Sequence, residues 1–160
     1  MDESKAYTLD DAQLEFAKRT NGRVWQLLDK PDRTEAENEE MILAAHASLY
    51  HWLFAGAEAH RQRGEWMIAR VYTALGEADQ ALKHARRCLE LTEKHRDKMQ
   101  DFDLAYAYEG LSRAFALNGN QEEAQKYLKM ARSAGESISN EEDKKIFLGD
   151  LNSGNWYGIE

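Results

Sequence analysis

Proline and cysteine are almost missing from this sequence, with one of each in 160 residues. A single proline leaves long helices uninterrupted, so we expect an almost wholly helical chain. One cysteine, Cys88, cannot form a disulfide within the chain, which fits a reducing compartment. Nor does any apolar run approach the roughly 20 residues that a membrane-spanning helix needs, so no membrane association is predicted.

Positive charge is also in short supply, because the net charge is -8 at pH 7. Affinity for a phosphate backbone comes mostly from clustered lysine and arginine, so this balance argues against nucleic-acid binding. The first four residues lack the basic and then apolar pattern of a signal peptide, and we expect a cytoplasmic protein. At this length the chain fits one domain with a substantial core.

One pattern of residues is written twice between Glu65 and Ile138, at a constant offset of 43 residues. Each copy has a large apolar residue, a small residue, an aromatic residue, a glycine and two more small residues. These are Ile68, Ala69, Tyr72, Gly76, Ala81 and Cys88, and then Leu111, Ser112, Phe115, Gly119, Ala124 and Ala131. Glycine ends a helix in the left-handed conformation, and small residues let two helices approach closely. The pattern therefore predicts antiparallel helix pairs joined by tight turns.

This order of residues resembles the tetratricopeptide repeat, a helix-turn-helix unit of about 34 residues. The resemblance covers residues 57–138 as two repeats of longer period. The first repeat departs at its first aromatic position, which holds Glu65, and Glu93 and Glu136 stand where a proline usually closes the repeat. The resemblance implies a short right-handed α-solenoid with a concave groove, and the function of a scaffold that binds proteins.

The whole chain is predicted to be a single all-α domain of about seven helices. It divides into an N-terminal helical hairpin (1–56), a first repeat (57–98), a second repeat (99–138), a capping helix (139–153) and an aromatic tail (154–160). Thr34 and Glu37 form a capping-box pattern that opens the second helix. Asp101 is the expected cap of the fifth helix. The Asn21–Gly22 pair weakens the middle of the first helix, so the sequence leaves open whether that helix is kinked there.

The resemblance also implies which residues line the groove, because groove positions recur at set distances before each glycine. They are Arg70 and Arg113 six residues before, Trp66 and Glu109 ten before, and Arg63 and Tyr106 thirteen before. A guanidinium matches a carboxylate or phosphate bidentately, so two arginines at equivalent positions would clamp an acidic or C-terminal segment of a protein or peptide. The asparagines that family members use for a terminal carboxylate are missing. The alternative is that both arginines pair with Glu65 or Glu109.

A second candidate site is a small-molecule pocket near the N-terminal hairpin, with His46, Tyr50, His51 and Trp52. Polar residues flanking a buried seam are the alternative interpretation. No phosphate loop or common catalytic motif is present, so we expect neither an enzyme nor a cofactor. His84 and Cys88 would share a helix face as two zinc ligands do, but Cys88 holds a small packing position, and no metal is expected.

The tail combines flexible glycines with large apolar side chains. Trp156, Tyr157 and Ile159, with the terminal carboxylate of Glu160, form a candidate anchor peptide. Three arrangements are open. The tail folds back onto its own chain, it enters the groove of a neighbour to give a homodimer, or its aromatic residues cover the apolar edge of the seventh helix.

Overall fold

The computed structural model describes residues 6–159, and all regular structure in this range is helical. The elements are α1 Leu9–Leu28, α2 Glu35–Ala55, α3 Glu58–Ala74, α4 Ala78–Lys94, α5 Asp101–Leu117, α6 Gln121–Glu136 and α7 Glu141–Leu151, with a 3₁₀ turn at Arg96–Lys98. The predicted all-α class is thereby confirmed. None of these helices, within the described range, is long and apolar enough to cross a membrane.

The helices are stacked as hairpins. The strongest packing is within the pairs α1–α2, α3–α4 and α5–α6, and each pair also packs against the next through α2–α3 and α4–α5. The odd-numbered helices α1, α3, α5 and α7 also contact one another in sequence and form one layer. Side chains from this layer therefore meet on one face of the molecule, which we call the concave face because it corresponds to the predicted groove.

The two anchor glycines end their helices as predicted. Gly76 has φ 77° and Gly119 has φ 81°, both in the left-handed region. In each turn the next residue's N–H bonds to a carbonyl five residues earlier, Glu77 to Tyr72 at 2.9 Å and Asn120 to Phe115 at 3.0 Å. This wrapped geometry satisfies carbonyls at the helix end, and it turns the chain into the second helix of the pair.

The predicted helix caps are found at the second helix but not at the fifth. Thr34 and Glu37 form both bonds of the capping box on α2, and α1 continues unbroken through Asn21 and Gly22. Asp101, however, is not the cap of α5, because that helix already starts at Asp101 and Gln100 precedes it as the cap. The Asp101 carboxylate instead accepts hydrogen bonds from the backbone N–H and hydroxyl of Ser139, at 2.8 and 2.9 Å. It ties the α6–α7 connection to the start of α5.

The core has two parts. The larger cluster joins α3 to α7. It includes four small residues of the repeat, Ala69, Ala81, Ala124 and Ala131, which are all almost fully buried. A second cluster fastens the N-terminal hairpin to α3 through Val24, Leu27, Met41 and Ile68, with Met67 and Val71 beside them. The α1–α2 hairpin thus continues the stack and extends the concave face by one helix.

Candidate functional site

A cavity of about 420 Å³ opens on the concave face. Three of the six groove residues predicted from the repeat line it, namely Arg63, Trp66 and Tyr106. The other lining residues on the odd-numbered helices are Asn21, Trp25, His60, Gln62, Gly64, Met67, Phe102, Asp103, Ile146 and Asp150, and α2 adds Trp52. The cavity therefore lies where four stacked helices face a common space.

Aromatic rings form much of the cavity wall. The rings of Trp25 and Trp66 have centroids 6.1 Å apart, and Tyr106 meets Trp66 edge-on at 5.4 Å. Trp52 stacks on His60 at 4.3 Å. Trp25 is 41% exposed, so the rings are accessible as well as rigidly held. Such amphipathic rings give a large contact area at little entropic cost.

His60 also closes the start of α3. Its Nδ1 accepts the backbone N–H of Ala57 at 3.0 Å. Burial, and next the positive charge of Arg63, lower the pKa of His60, while Asp103 opposes the shift. The neutral ring with a proton on Nε2 is consequently the form that this geometry selects.

Arg63 is held by an internal partner. Its Nε and Nη2 donate to the two carboxylate oxygens of Asp103 at 2.8 and 3.0 Å, and its guanidinium lies 5.1 Å from the Phe102 ring centre. Asp103 is 2% exposed and also accepts the Gln100 N–H. The charge of Arg63 is therefore balanced within the protein.

Glu109 joins the remaining predicted residues. Its buried carboxylate accepts from Arg113 Nε at 2.6 Å and from Trp66 Nε1 at 2.9 Å. Arg70 Nη1 lies 3.9 Å from the same carboxylate. Trp66 and Glu109 hold equivalent positions in the two repeats, so the repeats contact each other directly through matching positions. One carboxylate serves two arginines, which leaves a positive charge in excess at this point.

Arg113 is only 2% exposed, and the chain that follows α7 surrounds it. Its Nη2 donates to the carbonyls of Asp150 and Ser153 at 3.0 and 2.9 Å, and its Nη1 donates to that of Asn155 at 3.0 Å. The Trp156 ring covers it at 3.9 Å. Burial lowers the pKa of the guanidinium, with Glu109 opposing the shift. Arg113 thus holds the tail, while Arg70, 34% exposed, faces solvent, and the two do not present a matched clamp.

The tail folds back onto its own chain. The Tyr157 hydroxyl donates to the Thr73 carbonyl at 3.1 Å, Trp156 Nε1 donates to the Leu151 carbonyl at 3.0 Å, and Ile159 is buried. A second pocket, of about 310 Å³, remains between the tail and α1, lined by Trp25, Leu28, Asp29, Arg70, Thr73, Ala74, Arg113, Asn155 and Tyr157. The predicted contribution of the Glu160 carboxylate lies outside the described residues.

The residues of the alternative pocket point in different directions. His46 contacts the Tyr72 hydroxyl at 3.2 Å, His51 contacts Gln13 at 2.6 Å, and Tyr50 is 57% exposed. Only Trp52 reaches the cavity. The four side chains are therefore not brought together around one space.

His84 and Cys88 are both packed inside. His84 Nδ1 lies 2.6 Å from the Glu65 carboxylate, and burial raises the pKa of the Cys88 thiol, with the nearby Glu65 adding to this. Among residues 6–159 no group of three or more His, Cys, Asp or Glu side chains has the arrangement of a metal site. Cys88 accordingly occupies the small-residue position inside the stack.

Reasoning from the sequence did not include Phe102, Asp103, Asp150 or Gln62 in the site. A signal for Asp103 was present, because it lies 43 residues after His60 and each is the third residue of its helix. Asp150 reaches the cavity from α7, and its hydroxyl partner Tyr106 is 44 residues away in sequence. No local pattern links such distant positions.

Comparisons with protein-family models, curated proteins and solved structures gave no significant match to this chain. The fold and the site define the class instead, a stack of antiparallel helix pairs with an aromatic cavity on its concave face. The likeness to tetratricopeptide repeats rests on the residues of the two repeats and their helix pairing.

Proposed function

We propose that the concave face binds a segment of a protein or peptide, without catalysis, in the manner of a tetratricopeptide-like scaffold. The observation that carries this proposal is the open cavity of about 420 Å³ with Trp25, Trp66 and Tyr106 in its wall. Clustered aromatic residues in a desolvated pocket supply most of the binding energy at many interfaces. The cavity has room for a large side chain of the partner.

Arg70 supports an acidic group on the same partner. It lies four residues beyond Trp66, about 6 Å along α3 by the rise of a helix. Trp25 borders both the cavity and the second pocket, in which Arg70 lies, so the two are neighbours. The carboxylate nearest to Arg70 is that of Glu109, which is already bonded to Arg113. An acidic side chain or a terminal carboxylate at Arg70 would complete the charge balance, and salt would weaken this contribution.

A small-molecule ligand is the second candidate. The cavity volume is in the range of about 300–1,000 Å³ typical of ligand sites, and the cavity bears a histidine, His60. This ligand would bind on the concave face. Of the four residues of the predicted alternative pocket, Trp52 is the one that lines the cavity.

Self-association is the third candidate, and another surface supports it. Leu43, Tyr50 and Phe54 form an exposed apolar stripe on α2, and the rings of Tyr50 and Phe54 touch at 5.2 Å. A second copy would cover this stripe, without exchange of the tail. We also propose a cytoplasmic location, because a single cysteine fits a reducing compartment.

The test is selection of peptides from a random display library against the chain, followed by measurement of the dissociation constants of synthetic binders. Trp25→Ala removes a half-exposed ring from the cavity with little loss of core, and Arg70→Ala removes the accessible cation. We expect Trp25→Ala to weaken the selected peptides at least about tenfold, because hot-spot aromatic residues contribute 2 kcal/mol or more.

Tyr50→Ala is the matched control, since it also removes an exposed aromatic ring but from the α2 stripe. It is expected to leave peptide affinity unchanged. Failure to enrich any peptide, or binding that is insensitive to Trp25→Ala, would contradict the proposed function. Thermal melting of each variant checks that the fold is intact.

A further inference from the structure

The cavity contains a carboxylate with no cationic partner. Asp150, on α7, accepts the Tyr106 hydroxyl at 2.5 Å and takes part in no ion pair among residues 6–159. The other carboxylate of the cavity, Asp103, is bonded bidentately to Arg63. One negative charge is therefore left over at the wall, where it would attract a cation.

A buried hydrogen-bond acceptor lines the same cavity. Gln62 is 1% exposed, and its side-chain nitrogen donates to the Thr92 hydroxyl at 2.9 Å and to the Asp103 carbonyl at 3.0 Å. These two acceptors fix the amide orientation, because the Asp103 carbonyl requires an N–H. The side-chain oxygen of Gln62 is buried and has no hydrogen-bond partner within the described residues. A buried acceptor without a donor is costly, so a ligand N–H would be favoured here.

Aromatic faces complete the surroundings. The Trp66 ring contacts both the Trp25 and the Tyr106 rings, and all three line the cavity. Tryptophan and tyrosine rings attract organic cations through their negative faces, and they pack against the hydrocarbon part of a side chain. The rings, the unpaired carboxylate and the free acceptor are together complementary to one kind of group.

We infer that the side chain received by the cavity is an alkylammonium bearing N–H, such as the end of a lysine, carried by the partner of the proposed function. The stem lies against the tryptophan rings and the charge faces Asp150, in a cavity whose wall includes Gln62 with its unpartnered acceptor. The neighbouring Arg70 takes a carboxylate of the same segment. A peptide that ends in lysine carries both groups on one residue. This inference rests on the proposed binding of a peptide to the concave face.

Two short glycine–serine peptides test the inference, one ending in lysine and one in norleucine, both with a free C-terminal carboxylate. Norleucine keeps the four-carbon stem and lacks the ammonium. Binding is followed by tryptophan fluorescence, since three of the four tryptophans line the cavity. We expect the lysine peptide to bind about tenfold more tightly than the norleucine peptide.

Asp150→Asn isolates the charge, because the amide oxygen still accepts the Tyr106 hydroxyl. It should weaken the lysine peptide about fivefold and leave the norleucine peptide unchanged. Asp97→Asn, on the exposed 3₁₀ turn, is the control and should change neither.

Equal or tighter binding of norleucine, or no effect of Asp150→Asn, overturns the alkylammonium inference while the peptide-binding function stands. If neither peptide binds but library peptides bind through Trp25, the inference fails alone. If no library peptide binds either, the proposed function fails with it.

Discussion

Arg70 and Arg113 occupy equivalent positions in the two repeats, six residues before the turn glycine, yet their surroundings are opposite. Arg70 is 34% exposed and has a single carboxylate at 3.9 Å. Arg113 is 2% exposed and bonds to Glu109, to the Asp150 carbonyl in the last turn of α7 and to two backbone carbonyls after α7. Two features distinguish them. The residue four positions earlier is Glu109 in the second repeat and Trp66 in the first, and the second repeat is followed by α7 and the tail.

The comparison shows how one repeat position acquires two roles. At the second repeat the arginine donates to three backbone carbonyls around the end of α7, and it becomes part of the structure. At the first repeat the tail reaches Thr73 through the Tyr157 hydroxyl but makes no hydrogen bond to Arg70, so that side chain remains at the edge of a pocket. The concave face accordingly has a closed end around Arg113 and an open end around the aromatic cavity.

The largest expected difference between the two positions is in unfolding free energy, and replacing each arginine by alanine tests it. Arg113→Ala should cost about 3–5 kcal/mol of unfolding free energy, because it leaves Glu109 buried without its partner. Arg70→Ala should cost less than about 1 kcal/mol, as for an exposed ion pair. Urea denaturation of the two variants beside the wild type measures both values.

Arg113→Lys refines the result, since lysine keeps the charge but cannot reproduce the fork of donors. It should regain part of the loss seen with alanine. Equal costs for the Arg70 and Arg113 variants would show that the tail contacts contribute nothing to stability.

Gly154 offers a smaller perturbation of the closed end. It has φ 78°, and a Cβ built there would lie 3.0 Å from Arg113 Nη1, whereas Gly76 has φ 77° with nothing within 4 Å. Gly154→Ala strains the backbone and also displaces the guanidinium, so it should lower the unfolding free energy by about 2 kcal/mol. Gly76→Ala strains the backbone alone and should lower it by about 1 kcal/mol. Thermal denaturation ranks the two.

Gly149→Ala provides a control of opposite sign. Gly149 is inside α7, has no positive φ and has open space around it. Alanine there should stabilise the protein by about 0.5–1 kcal/mol. A Gly154→Ala variant as stable as the wild type would mean that the tail is not held against Arg113.

The repeat itself was predictable because its determinants are local. Gly76, Gly119 and the small residues between helices act within one hairpin, so their spacing predicted the helix pairs. The resemblance to the tetratricopeptide repeat, and not spacing alone, implied that Trp66 and Tyr106 face the groove.

The electrostatics of the site were not predictable in this way. Whether Arg113 is free depends on the path of residues 150–157, which no periodicity describes. Asp103 and Asp150 enter the site from different helices, and their roles follow from the distance between α3, α5 and α7. Ion pairs between distant segments have no signature in a single sequence.

The starts of α3 and α5 extend the comparison to a pair of equivalent caps. His60 accepts the Ala57 N–H at 3.0 Å, and Asp103, 43 residues later, accepts the Gln100 N–H at 2.9 Å. The pKa of His60 is lowered in the folded protein, by burial first and then by Arg63. The unfolded chain therefore binds more protons as the pH falls through about 6.5, the ordinary value for histidine. Stability is complete above that pH and declines below it.

Acidification from pH 7.5 to 5.5 should consequently loosen the first cap and spare the second. The loss is the smallest of the three effects, below about 1 kcal/mol, the size of one helix cap. His60→Gln keeps an acceptor at the third helix position without a titrating ring, so its melting temperature should fall less than that of the wild type over this range. His46, whose pKa is also lowered by burial, titrates in both proteins and cancels in the difference. The amide resonance of Ala57 should shift with pH while that of Gln100 stays in place. An equal fall in melting temperature for the wild type and His60→Gln would show that His60 does not couple the start of α3 to pH.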